Sequence, residues 1–192
     1  RAERFALVDA SGRGRASLEI VEGGDSALRL FDESGKSRMI LRMEHGQPQI
    51  GLMDEAGVRR AELSLGTVPM SDGRPSLWFT DAAGNSRASL RQEALVISDV
   101  EREPRTILNE EALVLFDAAG NVRAAVSNKG EPSLMFFDET SPRVNLGFSE
   151  GEPKMVLLDA NRQRVVLGST TTESTITGAE TTFPISTMTL FG

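Results

Sequence analysis

The sequence predicts an all-β protein: eight tandem two-strand repeats of about 21 residues, forming an elongated antiparallel β-array or solenoid. Three observations carry this expectation. Aspartates recur at Asp9, Asp32, Asp54, Asp81, Asp99, Asp117, Asp138 and Asp159, with successive spacings of 23, 22, 27, 18, 18, 21 and 21 residues. The residues four and two positions before each aspartate are apolar in every copy. Each aspartate is followed by turn chemistry and then by an arginine. Self-similarity at a fixed period of this length is the signature of a repeat architecture.

The first strand of each tile ends at the aspartate. Phe5, Leu28, Ile50, Leu77, Leu95, Leu113, Leu134 and Met155 stand four residues before it. Leu7, Leu30, Leu52, Phe79, Ile97, Leu115, Phe136 and Leu157 stand two before it. Apolar residues at period two read as a strand with one face turned to a core.

The turn comes next. Five copies read Asp-x-x-Gly, with Gly12, Gly35, Gly57, Gly84 and Gly120. Aspartate bonds the backbone two residues on, and glycine tolerates the positive φ of a tight reversal. Arg102, Ser141 and Arg162 replace the glycine in the other three copies. Those turns must differ or be strained.

A second strand follows, with Arg-x-x-Leu or Arg-x-x-Val in every copy. Its arginines are Arg15, Arg38, Arg60, Arg87, Arg105, Arg123, Arg143 and Arg164. Its apolar partners are Leu18, Leu41, Leu63, Leu90, Leu108, Val126, Leu146 and Leu167, with a small or branched residue such as Ala16, Ala61, Ala88, Ala124 or Val165 sharing their face. Asp–Arg pairing across neighbouring tiles is the expected use of the arginines. Gly-x-Pro joins four tiles to the next, at Gly46 and Pro48, Gly73 and Pro75, Gly130 and Pro132, and Gly151 and Pro153. Proline fits the first residues of a strand and blocks pairing deeper in.

One tile orders too many residues for the few side chains it buries, so it cannot fold alone; stacked tiles share neighbours and can. A parallel coil would stack the eight arginines about 4.8 Å apart. An antiparallel array separates them by two strands, and is favoured on that ground. Closure of sixteen strands into a four-bladed β-propeller is the alternative.

The opposite strand face is also partly apolar. It carries Phe31, Met53, Phe116, Phe137 and Leu158 next to their aspartates, and Trp78, Val96, Val114, Met135 and Val156 two positions earlier. Such a face must be covered by another sheet or another subunit, which points to self-association. Trp78, Phe31, Phe116 and Phe137 are the candidate interaction surface. Residues 1–167 form the repeat domain, and 168–192 form a Ser/Thr-rich segment in which "ISTMTLFG" opens a partial ninth repeat with Gly192 at the aspartate position.

Composition narrows the function. The 192 residues are 26% charged and 39% apolar, as in a folded protein. Net charge is −7 and Lys and Arg are scattered, with no basic run beyond the pair Arg59 and Arg60, so the basic patch of a nucleic-acid binder is missing. There is no cysteine, hence no disulfide framework or thiolate chemistry. No run approaches the ~18 consecutive apolar residues of a membrane helix. The chain opens "RAERF" without methionine, so a membrane anchor is expected only in a preceding segment.

No motif focuses chemistry. "GGDSAL", residues 23–28, is similar to the nucleophile block of GDSL-type hydrolases and would make Ser26 the nucleophile. Such a serine needs a base within reach. The single histidine, His45, sits in the "EHGQP" connection, where a solvated loop residue is the simpler reading. The aspartate turns lack the alternating ligands and terminal glutamate of a calcium loop, so they read as turn-formers. Glu101, Glu103, Glu110 and Glu111 could pair as glycosidase carboxylates. With one tryptophan and no tyrosine to make a sugar platform, they read as a solvated acidic rim. No phosphate-binding glycine loop is present, and no metal or cofactor is expected.

The tiles "AERFALVDASGRGRASL", "LRLFDESGKSRMIL" and "LVLFDAAGNVRAAV" resemble uncharacterised bacterial membrane-anchored proteins with tandem DxxGxxRAxL β-repeats. The resemblance covers residues 3–167. It implies an extracytoplasmic, envelope-facing array tethered at its N-terminus, with the cytoplasm as the alternative location. The expected function is a non-catalytic structural or interaction module: a spacer, scaffold or protein-binding surface, whose partner is a second copy or another envelope protein. The alternative is a carbohydrate-binding or fibre-type receptor-binding module built on aromatics near Trp78.

Overall fold

A computed structural model of the chain describes residues 3–44, 46–65, 74–139, 141–160, 162–168, 170–173, 180–183 and 188–190. His45, Gly73 and Gly192 lie outside them. The described residues form strands and turns, with no helix. The chain divides into two compact units, Arg1–Glu103 and Pro104–Gly192.

The first unit contains β1 (Arg4–Val8), β2 (Gly14–Ile20), β3 (Ser26–Phe31), β4 (Ser37–Glu44), β5 (Gln47–Met53), β6 (Arg59–Leu65), β7 (Pro75–Thr80), β8 (Ser86–Arg91) and β9 (Ala94–Ser98). Each strand pairs antiparallel with the next in sequence. The second unit contains β10 (Pro104–Asn109), β11 (Ala112–Phe116), β12 (Val122–Ser127), β13 (Ser133–Phe137), β14 (Pro142–Ser149), β15 (Glu152–Asp159) and β16 (Arg162–Gly168), paired in the same consecutive way. After these come β17 (Thr170–Glu173) and β18 (Glu180–Phe183), which pair with each other, and β19 (Met188–Leu190), which returns to β16. Four-stranded propeller blades would interrupt pairing after each fourth strand. Pairing instead runs unbroken through β4–β5 and β12–β13, so the propeller alternative gives way to an open meander in each unit.

The aspartate register holds along the chain. In the first unit one column runs Phe5, Leu18, Leu28, Leu41, Ile50, Leu63, Leu77, Leu90, Leu95 through direct cross-strand pairs. A second runs Leu7, Ala16, Leu30, Met39, Leu52, Ala61, Phe79, Ala88, Ile97. In the second unit the columns end on β19, where Leu167 faces Met188 and Val165 faces Leu190. The same pairing pattern joins Leu18 to Leu28 and Ala16 to Leu30 between the first two tiles. The Ser/Thr-rich tail before it pairs as a small hairpin, Thr170 to Phe183 through Glu173 to Glu180.

The sequence alone misses a β-bulge that recurs in seven of the tiles. In all seven hairpins whose two strands share a unit, the register slips by one residue just before the turn. Leu30 faces Met39 while Phe31 faces Ser37, which leaves Arg38 as the extra residue. The same count leaves Arg15, Arg60, Arg87, Arg123, Arg143 and Arg164 unpaired in their hairpins. A bulge re-aims the side chain it carries and adds local twist. The repeat arginine is thus a bulge residue.

The three turns without glycine solve the problem differently. Arg102 adopts φ 73° in a turn bonded like the glycine turns, with Arg102 N–H donating to Asp99 O at 3.2 Å. The Asp138 turn is one residue shorter, with Asp138 N–H donating to Ser141 O at 3.0 Å. The Asp159 turn has that same shorter length, with Leu158 facing Gln163 as Phe137 faces Pro142, and Ala160 takes φ 46°. A left-handed conformation costs a non-glycine residue about 1–2 kcal/mol. Arg102→Gly is therefore expected to raise unfolding stability by about 0.5–1 kcal/mol, after the flexibility gained by the unfolded chain is deducted. Urea denaturation checks it; an unchanged or lowered midpoint would count against strain at this turn.

The apolar columns do not form the expected core. They lie open on one face, with Leu18 49% and Leu52 47% exposed. The physical reason is that strands pack against their hydrogen-bonded neighbours and, among the described residues, no second layer covers them within either unit. Burial is found on the opposite face, where small residues lie beneath long ones. Ser17 and Ser64 are both 1% exposed, and Ala27, Ser76 and Ser89 are buried. Arg29 bridges to Glu19 at 3.2 Å, and Arg42 bridges to Glu44 at 2.8 Å across this face. Their aliphatic stems cover what the sheet itself leaves bare.

Candidate functional site

The tile's two signature residues form one device. Asp32 Oδ1 accepts hydrogen bonds from the N–H groups of Ser34 at 2.8 Å and Lys36 at 3.0 Å. Its Oδ2 accepts from Arg38 Nε at 2.7 Å. One carboxylate oxygen holds the turn and the other takes the bulge arginine. The amide pattern repeats at Asp9, Asp54, Asp81 and Asp117. Arginine contacts within the tile are 3.3 Å for Arg60 and Asp54, 3.7 Å for Arg123 and Asp117, and 4.0 Å for Arg15 and Asp9. Arg164 lies 4.0 Å from Asp159. These pairs close inside one tile, contrary to the expected ladder between tiles. Arg143 does both, meeting its own Asp138 at 2.5 Å and Asp159 of the next tile at 3.1 Å.

Cations of the rim also reach the backbone of the next tile. Lys36 Nζ donates to Glu55 O at 2.7 Å, and Arg60 Nε donates to Thr80 O at 2.8 Å. Arg105 Nη2 donates to Ala118 O at 3.3 Å. The rim is therefore stitched in series.

These bonds favour the charged carboxylate. The Ser34 hydroxyl above all, with the Lys36 amide and Arg38, brings Asp32 down to about 2. The Ser11 hydroxyl and Arg13 amide lower Asp9, and the Asn85 and Asn121 amides lower Asp81 and Asp117. At Asp54 desolvation pushes upward, but the Val58 amide and Arg60 outweigh it. A carboxyl depressed in the folded state contributes stability that is full above its unfolded value near 3.8 and lost as pH falls through the folded value. The melting temperature is thus expected to hold from pH 7 to about 4 and to drop steeply between about 4 and 2. Thermal scans by circular dichroism across that range check it; a flat profile to pH 2 would refute it.

The expected interaction aromatics divide by environment. Trp78 is only 9% exposed. It faces Glu62 on β6 and Ser89 on β8, and lies under the Arg91 guanidinium at 4.6 Å from the ring centroid. Its Nε1 donates to Ser76 Oγ at 2.8 Å. This ring is packing and offers no sugar platform. Phe31, Phe116 and Phe137 are half-buried beside the bulges, facing Ser37, Val122 and Pro142. Sequence reasoning placed the interaction surface on this face, whereas the large exposed apolar area is the opposite one.

The remaining described candidates sit at a strand end and on an exposed rim. Ser26 opens β3 and pairs with Ile20; Gly23 and Gly24 before it take φ 96° and 88° in a turn. Glu101, Glu103, Glu110 and Glu111 are exposed, and Glu111 bridges to Lys129 at 3.1 Å. Among the described residues no group of three or more His, Cys, Asp or Glu could hold a metal ion. A cavity of about 190 Å³ in the second unit is lined by Asn145, Lys154, Val156 and Gln163 among others, with no acid–base pair on its walls. No helix among the described residues is long and apolar enough to cross a membrane.

No protein-family model matches the chain, and no curated protein matches it. Among solved structures, a mutant of S. aureus TarM in complex with fondaparinux, α-GlcNAc-glycerol and UDP is similar at a TM-score of 0.27 and 12% identity. That match covers 66% of this chain and spans 20% of the TarM chain.

Proposed function

We propose that this chain is a non-catalytic structural and interaction module, a spacer or scaffold of the cell envelope that presents a repeated apolar face to a protein partner. The observation that carries the reading is the exposure of the two apolar columns in each unit, from Phe5 and Leu7 on β1 to Met188 and Leu190 on β19. Contiguous apolar surface of this extent marks a protein-binding surface. The polar signature residues are engaged in turns and bulges, and among the described residues they form no convergent acid, base and nucleophile. A tile repeated along the chain spreads its function over a surface instead of focusing it at one site. The envelope location rests on the tile's resemblance to membrane-anchored bacterial repeat proteins.

Deleting one whole tile, residues 113–133, tests the reading. A β-type circular dichroism spectrum and cooperative unfolding are expected to survive, because each tile contacts only its neighbours. The second arm assays the full chain against a panel of ester substrates. Hydrolysis that disappears in Ser26→Ala would overturn the non-catalytic reading.

A further inference from the structure

We infer that the apolar face is covered by the same face of a second copy of this chain. The inference rests on the reading above and names the partner of that surface. Three observations converge on it.

The first is the pattern of side-chain sizes. The column Leu7, Ala16, Leu30, Met39, Leu52, Ala61, Phe79, Ala88, Ile97 alternates large and small from one strand to the next, with Met39 as the exception. The large residues belong to the strands before the turns and the alanines to the strands after them. Knobs therefore stand two strands apart, roughly 9–10 Å, with a hollow between each pair. A copy of the same face offset by one strand sets its knobs over these hollows. The face is complementary to itself, which is the requirement of an isologous interface.

The second is charge. No residue in either column of the first unit is ionisable, although the chain carries a net charge of −7. The Arg29–Glu19, Arg42–Glu44 and Arg59–Glu62 pairs lie on the opposite face, and the aspartates lie in the turns. Two copies meeting through the columns place no like charges against each other.

The third is area. In the first unit Phe5, Leu18, Leu52, Leu63, Phe79 and Leu90 are all exposed on this one face. Together they make a larger apolar patch than the few hundred Å² that a monomer leaves bare.

The absence of cysteine makes the test clean. Single-thiol variants of the full chain, Leu63→Cys on the face and Glu55→Cys on the turn rim, are treated with a bismaleimide spanning the ~10 Å between stacked sheets. Sedimentation of the unmodified chain at micromolar concentration is expected to give twice the monomer mass. Leu63→Cys is expected to cross-link to a dimer at least tenfold faster than Glu55→Cys. Ala61→Leu combined with Ala88→Leu fills two hollows that are open to solvent in one copy. It is expected to weaken self-association at least tenfold while leaving the β-type spectrum of the dissociated chain unchanged.

A folded monomer at micromolar concentration overturns the inference. So does a dimer in which Glu55→Cys cross-links as fast as Leu63→Cys, because that contact lies elsewhere. Either result leaves the non-catalytic module standing with a different partner. Ser26-dependent hydrolysis would remove that reading and leave the cross-linking result untouched.

Discussion

Trp78→Ala is expected to lower the unfolding free energy by about 3–5 kcal/mol, the usual cost of deleting a large buried aromatic. The ring is the largest side chain on the packed face and lies between Glu62 and Ser89. Removing it takes the support from beneath Arg91 and exposes the Ser64 and Ser76 hydroxyls, which lie 3.3 Å apart. It also deletes the donor to Ser76. Trp78→Phe keeps most of the area and loses the hydrogen bond, so a smaller loss of about 1–2 kcal/mol is expected. Urea unfolding followed by far-ultraviolet circular dichroism reads both, since the only fluorescent tryptophan is gone. An alanine variant within 1 kcal/mol of the parent, on the scale of typical single substitutions, would mean that the ring is not part of the packing.

Gly147→Ala is expected to cost about 2–3 kcal/mol through overpacking. A Cβ at this position would meet Pro132 O at 2.6 Å and Ser133 Cβ at 2.9 Å. Gly147 pairs with Ser133 on β13 and with Lys154 on β15, so neither neighbouring strand is free to move aside. The clash is with backbone, which no rotamer relieves. Gly14→Ala is the matched control: nothing lies within 4 Å of its Cβ, and a change within about 0.5 kcal/mol is expected. Equal effects at the two positions would rule out close strand approach as the cause.

The strands and their register were legible because period-two alternation and the aspartate spacing are local signals. Leu30, Leu52 and Leu115 occupy equivalent ladder positions, as their place before the aspartates requires. The bulge was legible in principle. A five-residue turn from Asp32 to Lys36 closes Phe31 on Ser37 and would bring Arg38 opposite Leu30. The apolar residues instead sit at Met39 and Leu41, so one residue is surplus. The direction of burial was not legible. Alternation tells which residues share a face, and says nothing of whether another layer lies over it. Ser17 and Ser64 look like solvent-facing residues, yet both are buried among side chains of the neighbouring strands, Ser17 beside Arg29 and Ser64 beside Gln49 and Ser76. Trp78 was misplaced for the same reason, since its cover is the guanidinium of Arg91, thirteen positions along the chain.

The serial stitching of the rim bears on how the protein responds to load. In an antiparallel meander, tension applied along the chain reaches the hydrogen bonds of the outermost hairpin first and peels them singly, while the interior is shielded. Lys36 and Arg60, each tied to a backbone carbonyl of the following tile, act as successive stops against that peeling. Each released tile pays out about 70 Å of extended polypeptide. Such a chain would lengthen in steps under force, an extensible tether and not a rigid strut.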